Sequence, residues 1–568
     1  MERDLSGADR DAGVALIMTV SILTAILALS ATAVAAVLSN ITESRKANAT
    51  TAAHATAEAG ADEFFARVVR DPNYFAVPAG GGSPPYLAAG TADAGYAPAW
   101  ATLVNGAPQT CADPYSSVCY QVEANVEAQP GNPHATSVTV SVTSATLCPH
   151  GLAHLATCVT DTVHQRLVQR QFFDYLYFDQ LETLDPALYP QASEGTKAAR
   201  TCQVLAAQRP SSCIPVPFLG PTGSASGGDT VLGPIHTNDA SFYVCLRPTF
   251  SPPVERSGWP SRRTPTGEAT ALESAGSPVF IAAPGAACAG ASPHETGGPV
   301  SEVANAPYFS FAVDVADLAR IPNPGDSYTG VTTVTLHGGN VPGRGTYREA
   351  SGAVAAGAPG VDHPWPGTGV VYVDGDAYVS GDACDPISVV ATGNIYIDGN
   401  LTYGPDSSCP SAATGLEAND AVVVLPTDGP TGPTVNGSTD RTIEAAVLAL
   451  GRRSCYSPAA GGARAAPGVT CSLASNTTPR GGSFYVQGWN TTGLAAGQRP
   501  HSLHFLGAIA TVWRGAIGAF DATTGQLASG WAKDFAFDRQ LRTSQPPYFL
   551  APVGAGWART DLSATGPA

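Results

Sequence analysis

From Val14 to Ala59 the chain contains neither glycine nor proline, and its first part, Val14 to Leu38, carries no charged side chain. About 20 apolar residues suffice for a helix to cross a bilayer, so the charge-free part predicts a single span over 14–38. Without a breaker the helix then runs on into water. Ser21, Thr24, Ser30 and Thr32 lower the apolarity of the span. Their hydroxyls can return to carbonyls one turn back, so they do not oppose insertion. The competing reading is a secretory signal cut at the small residues Ala31-Thr32-Ala33. Two features oppose it: the leader, residues 1–13, sets Glu2, Asp4, Asp9 and Asp11 against Arg3 and Arg10, and the apolar run exceeds the roughly 7 to 15 residues of a signal core.

Beyond the span, Asn40 to Arg70 is alanine-rich, with Glu43, Arg45, Lys46, Glu58, Asp62, Glu63, Arg67 and Arg70 as its charges. Alanine is the strongest helix former, and Glu63 stands four residues before Arg67, the favourable order for an exposed pair. Pro72 marks the end of a soluble continuation over 39–72. A helix from Val14 to Arg70 is a rod of roughly 85 Å at about 1.5 Å per residue. Such a rod suits packing against copies or partners.

The residues Arg10-Asp11-Ala12-Gly13-Val14-Ala15-Leu16-Ile17, with Ala57-Glu58-Ala59-Gly60 some forty positions on, resemble the N-terminal domain of PilX-type minor pilins of type IV pilus systems. The resemblance implies a leader removed after Gly13 by a prepilin peptidase, Val14 as the new N-terminus, and other pilin-like subunits as partners. Pilins usually carry a glutamate five residues after the cut. Met18 stands there in this chain.

The remaining residues, some 500, suffice for two to four domains. With 61 glycines, 47 prolines and 13% charged residues the chain is turn-rich, yet 44% hydrophobic residues argue for a packed core over disorder. A net charge of −17 opposes nucleic-acid binding, which needs a basic face. All twelve cysteines follow the helix. They read as near neighbours: Cys111 with Cys119, Cys148 with Cys158, Cys202 with Cys213, Cys245 with Cys288, Cys384 with Cys409, and Cys455 with Cys471. An even count in short loops fits structural disulfides in an oxidising exterior, and no C-x-x-C suggests zinc or redox chemistry.

Residues 73–188 read as a β-rich, pilin-like head: after a Pro/Gly-rich connection come Val118 to Val126, then Thr136 to Leu147 with Val138, Val140 and Val142 alternating with Thr and Ser, then Cys158 to Phe178. An antiparallel sheet packed on the outer half of the helix would bury that face. Residues 189–230 read as a loop-rich linker, and 231–568 as a Gly/Pro-rich domain with a long insertion at about 249–307. Within it, Val370 to Gly381 and Ile387 to Thr402 are short alternating strands closed by D-G, S-G and D-G-N turns at about 20-residue spacing. That is the pattern of a β-solenoid, whose rungs find a core only by stacking; hairpins are the alternative, because D-G is also a hairpin turn. The expected class is therefore α+β or mainly β: a long helix, a small antiparallel head and a right-handed, parallel β-helix-like solenoid. Gly233 to Asp239, Val371 to Gly381, Asn394 to Tyr403, Arg514 to Gly518 and Pro546-Pro547-Tyr548-Phe549 also resemble uncharacterised bacterial surface proteins that carry a PilX-like N-terminus.

Chemistry is sparse. Asp374, Asp376, Asp382, Asp385 and Asp398 lie close in sequence and admit acid/base cleavage of a glycan or calcium binding, but Asp374, Asp382 and Asp398 adjoin glycine in turns that favour aspartate for backbone reasons. His236 and Asp239 make a pair, not a constellation. His150 and His154 are separated by a Pro/Gly context, and neither H-E-x-x-H nor G-x-S-x-G occurs. The expectation is a non-enzymatic surface protein without cofactor or metal, anchored once with its bulk outside the cytoplasm, and meeting a surface or glycan through its distal domain. An anchored carbohydrate-active β-helix protein is the alternative.

Overall fold

The computed structural model describes residues 8–70, the strands within 101–145, residues 160–202, most of 209–552, and 557–565; the longest stretches outside the description are 71–100, 146–159, 258–278, 427–439, 452–480 and 491–500. One helix, Ala8–Arg70, includes the expected span and its continuation unbroken. Both Gly13 and Val14 lie inside it. Thr24 returns its hydroxyl to the Val20 carbonyl and Thr32 to that of Leu29, as the apolar setting requires.

The chain divides into two compact units. The first holds the helix, residues 137–168 and the C-terminal stretch from Trp557. Its six-stranded sheet runs Ala107–Thr110, Ala101–Val104, Cys119–Gln129, Asn132–Ala145, Thr160–Gln169, Trp557–Thr565 in spatial order. Antiparallel register joins Ser137–Ala145 to Val168–Thr160. The alternation in Thr160–Gln169 buries Val163, Gln165 and Leu167 on one face. On the helix, Ala53, Ala57, Gly60, Ala61 and Phe64 are buried, the spacing of one helical face. Two polar contacts pin that face. His54 Nδ1 lies 2.7 Å from Asp161 Oδ2, and Arg559 Nη2 lies 2.6 Å from Asp62 Oδ1, with its guanidinium over the Phe65 ring. The final strand thus belongs with the helix, although 231–568 had been expected to form one domain.

In the second unit most pairings are parallel, and from Val370 to Arg514 they chiefly join strands two apart in the chain. Val370–Asp374 pairs with Ile387–Ala391, that strand with Thr414–Ala418, and so on to Arg441–Ala449 and His501–Arg514. Hairpin pairing of these neighbours, the alternative for D-G turns, does not occur. At His501–Arg514 the ladder divides: His501–Gly507 pairs with the later strand Leu527–Phe537, whereas Ile509–Arg514 pairs with Tyr177–Leu184, which is followed by Ile235–Thr237 and Val254–Arg256. One inward column runs Val371, Val389, Leu416, Val447, Ile509, Tyr177, Ile235, Val254 in unbroken register. All eight side chains are buried, and together with a companion column containing Val379, Ile397 and Val424 they form the main core. Glycine is obligatory at position 381: φ is +107°, and a Cβ would lie 2.1 Å from the Leu336 carbonyl oxygen.

Three sequence assignments change. Tyr177–Leu184, inside the stretch assigned to the head, is a central rung because its paired strand is over 300 residues away. The described residues of 189–230 are packed in part: Ala198 of helix Ala192–Thr201, Cys202, Cys213 and Val216 bury against Leu181, Leu184 and Trp513. The tract 249–307 supplies short rungs, Thr249–Phe250 and Val254–Arg256 among them, whose two or three residues give too little alternation to read. Cys202–Cys213, Cys245–Cys288 and Cys384–Cys409 are disulfide-bonded as paired from sequence. The pairs Cys111/Cys119, Cys148/Cys158 and Cys455/Cys471 involve residues outside the description.

Candidate functional site

Parallel register places His236 directly opposite Glu255 on the neighbouring rung. Extended backbone repeats every second residue, so Asn238 and Ser257 follow on the same side. The four groups are joined. Ser257 Oγ lies 3.1 Å from His236 Nε2, and His236 Nδ1 lies 3.3 Å from Glu255 Oε2. Glu255 Oε2 also accepts from Tyr175 Oη at 2.9 Å and Arg170 Nη1 at 3.1 Å. Burial opposes ionisation of Glu255, but the His236 hydrogen bond and the Arg170 charge outweigh it and hold the carboxyl at about 2. Burial lowers His236 below the usual histidine value, against the pull of Glu255. A neutral imidazole beside an ionised carboxylate carries its proton on Nδ1, which leaves Nε2 to accept from Ser257.

The cluster is closed over. His236 is fully buried between the rings of Tyr175, Phe178 and Phe309, with centroids 5.0, 4.7 and 4.9 Å away. Asn238 clasps the backbone of Phe309, its Nδ2 donating to the carbonyl at 2.6 Å and its Oδ1 accepting from the amide at 3.1 Å.

A second polar group lies where the ladder joins its two distant halves. Arg514 Nη1 lies 2.7 Å from Asp179 Oδ2 and 3.0 Å from Glu182 Oε2, with all three side chains fully buried. The guanidinium also sits 3.8 Å from the Phe218 ring centroid and 4.3 Å from that of Tyr177. Burial raises Asp179 to about 6 and Glu182 well above its usual value, while Arg514 opposes both shifts. Lys533 Nζ lies 2.6 Å from Asp229 Oδ2, also buried, and again links the late part of the chain to the early part.

Of the residues singled out from sequence, His236 centres the first cluster, but Asp239 does not join it and borders the second, its Oδ2 accepting from the Glu182 amide at 2.8 Å. Asp239 pairs instead with Arg209, at 2.6 Å. Asp374 accepts from Thr392 Oγ1, and Asp376 from the Asn394 amide, so both stitch one turn to the next. Asp398 is buried, Asp382 and Asp385 are half-buried, and no cleft of paired carboxylates forms from them. Among the described residues no group of three His, Cys, Asp or Glu side chains could hold a metal ion. Tyr378 and Tyr396, on adjacent rungs, stack at 4.7 Å and 18°. Glu255 and Ser257 escaped notice in the sequence because only the register brings them to His236; the H-x-N and E-x-S spacings were the sole local signal.

No protein-family model, curated protein or solved structure matches the chain.

Proposed function

We propose that this chain is a membrane-anchored, extracytoplasmic surface protein that acts as a PilX-like minor pilin, a specialised component or tip subunit of a type IV pilus-like assembly. The observation that carries the reading is the character of the single helix Ala8–Arg70. Its apolar side chains from Val14 to Ile41 are exposed, whereas the far end buries one face against its own unit. An apolar surface of that length needs lipid or neighbouring helices, and a membrane followed by lateral packing supplies both. Among the described residues this is the one helix long and apolar enough to cross a membrane. Three disulfides after it support an oxidising compartment for the bulk of the chain. The parallel ladder is, in this reading, a right-handed β-solenoid that serves as a rigid platform towards a surface or glycan.

N-terminal sequencing of the mature protein from membranes and from sheared surface filaments tests the reading. A start at Val14 in the filament fraction is expected. An intact Met1 confined to membranes refutes the pilin role, and a start near Val34 identifies an ordinary secreted protein.

A further inference from the structure

We propose that the side chains of Lys533 and Asp229 join in a covalent amide, an isopeptide cross-link that ties the late part of the ladder to the early part. Lys533 Nζ lies 2.6 Å from Asp229 Oδ2, and the two residues are 5% and 3% exposed. Register enforces the meeting: Asp534 and Phe535 pair with Thr230 and Val231, so Lys533 stands beside Asp229. The lysine takes an inward position between the buried Trp531 and Phe535, and pairs on its other side with the buried Leu503. Only three lysines occur in the chain, Lys46, Lys197 and Lys533, and arginine supplies the other cations. Arginine also holds the buried carboxylates of Asp179 and Asp239. A buried ion pair therefore does not call for lysine here. A nucleophile does, because a guanidinium keeps its proton whereas a buried amine can release one.

The surroundings suit the reaction. Burial lowers Lys533 below the usual lysine value; the Asp229 charge opposes this and the Arg514 charge assists it. A desolvated amine near a second cation is an activated lysine. Asp229 is fixed at both oxygens, Oδ1 accepting from the Lys533 backbone amide at 3.2 Å and Oδ2 from the Leu219 amide at 2.8 Å. Both reactants belong to the chain, and groups so held react as if at about 10⁵ M or more. One ammonium proton passes to Oδ2, giving a neutral amine and a neutral acid. Nζ then bonds to Asp229 Cγ, and the charge that develops on Oδ1 is met by the Lys533 amide. A second proton moves from nitrogen to Oδ2, the Cγ–Oδ2 bond breaks, and water departs. The third proton stays as the amide N–H. One neutral amide replaces two buried charges, so the desolvation that opposes the ion pair no longer applies. The ion pair that docks the two parts is thus the precursor of a bond between positions 304 apart in the chain. It forms or fails irrespective of whether the helix enters a filament.

The test uses the full wild-type chain purified in detergent, in a sample that shows a cooperative thermal transition. It is then unfolded, reduced and digested with trypsin. Tandem mass spectrometry is expected to find cleavage after Lys533 lost and a branched peptide lighter than its two parts by one water, with the branch at Asp229. Lys533→Arg keeps the cation but not the nucleophile, and is expected to give linear peptides only. Complete cleavage after Lys533 in the wild type overturns the proposal and leaves an ordinary ion pair. A branch at any other carboxylate overturns it too, as does the same branched mass in Lys533→Arg. The wild-type digest decides by itself should Lys533→Arg fail to fold.

Discussion

Replacing Arg514 with leucine removes the one cation that faces two buried carboxylates across the junction of the ladder. Asp179 and Glu182 have no exposure to water and would be left unpaired. Breaking a buried ion pair from one side costs about 3–5 kcal/mol, because the remaining charge must either stay desolvated or take up a proton. The lost stacking on Phe218 and Tyr177 adds to this by about 2 kcal/mol at most. The sign of the pH dependence follows from the raised carboxyls. A raised folded-state value gives stability that is complete below the usual 3.8 of aspartate and is lost as pH climbs through about 6 for Asp179. Without the guanidinium both values rise further, so the variant loses stability over a window reaching higher in pH than the wild type. Thermal unfolding of the full chain in detergent, followed by near-ultraviolet circular dichroism at pH 5 and pH 8, measures the difference. At pH 8 the expected penalty lowers the transition by about 6–10 °C, taking about 2 °C per kcal/mol for a body of this size. At pH 5 it shrinks, as protonation neutralises the orphaned acids. The triple variant with Asp179→Asn and Glu182→Gln recovers most of the loss. Equal penalties at the two pH values, or one under about 1 kcal/mol at pH 8, would refute the reasoning.

Two further outcomes are expected. Glu417 is fully buried opposite Leu448, accepts from the Leu550 amide at 2.9 Å, and is pushed by burial to about 8 from the usual 4.5; wild-type stability therefore falls by up to about 1.4 kcal/mol per pH unit across that window, and Glu417→Gln flattens the slope in melts recorded from pH 5 to 8. Cys384–Cys409 closes a loop of 25 residues. Replacing both by alanine lowers the unfolding free energy by about 3 kcal/mol, read as a shift of the denaturant midpoint, while reduction of the variant adds no further loss from that pair.

The helix was legible because its signals are local: absence of breakers, alanine content and a long charge-free run each act within a few residues. Strands such as Val370–Asp374 and Ile395–Tyr403 were legible for the same reason, through alternation and D-G turns. Their parallel pairing followed from the recurrence of rungs that cannot bury their own faces. The place of Tyr177–Leu184 was not. Its aromatic run reads equally well as the last strand of a head or as a rung, and only a partner over 300 residues away decides. The His236 cluster failed for the same reason, since its members lie on different rungs. Trp557–Thr565 offers a further case: nothing local announces that the chain returns to the strand Thr160–Gln169, so that the whole larger unit is an insertion between two neighbours in one sheet.

That insertion accounts for the buried ion pairs at the junction between the late and early parts of the ladder. Along the inward column Val371, Val389, Leu416 and Val447 are of similar size and shape, so apolar packing alone discriminates weakly between one rung and the next. Rungs such as Val370–Asp374 and Ile387–Ala391 need little more, since they lie close in the chain. The contact between His501–Arg514 and Tyr177–Leu184 has no turn to guide it. A wrong partner there would bury Asp179 and Glu182 without Arg514, and Asp229 without Lys533, each at a cost of several kcal/mol. The ion pairs contribute little net stability against well-packed apolar side chains, but they make misdocking of the distant halves expensive. On this argument the triple variant that recovers the stability of Arg514→Leu refolds to the native ladder more slowly and in lower yield than the wild type.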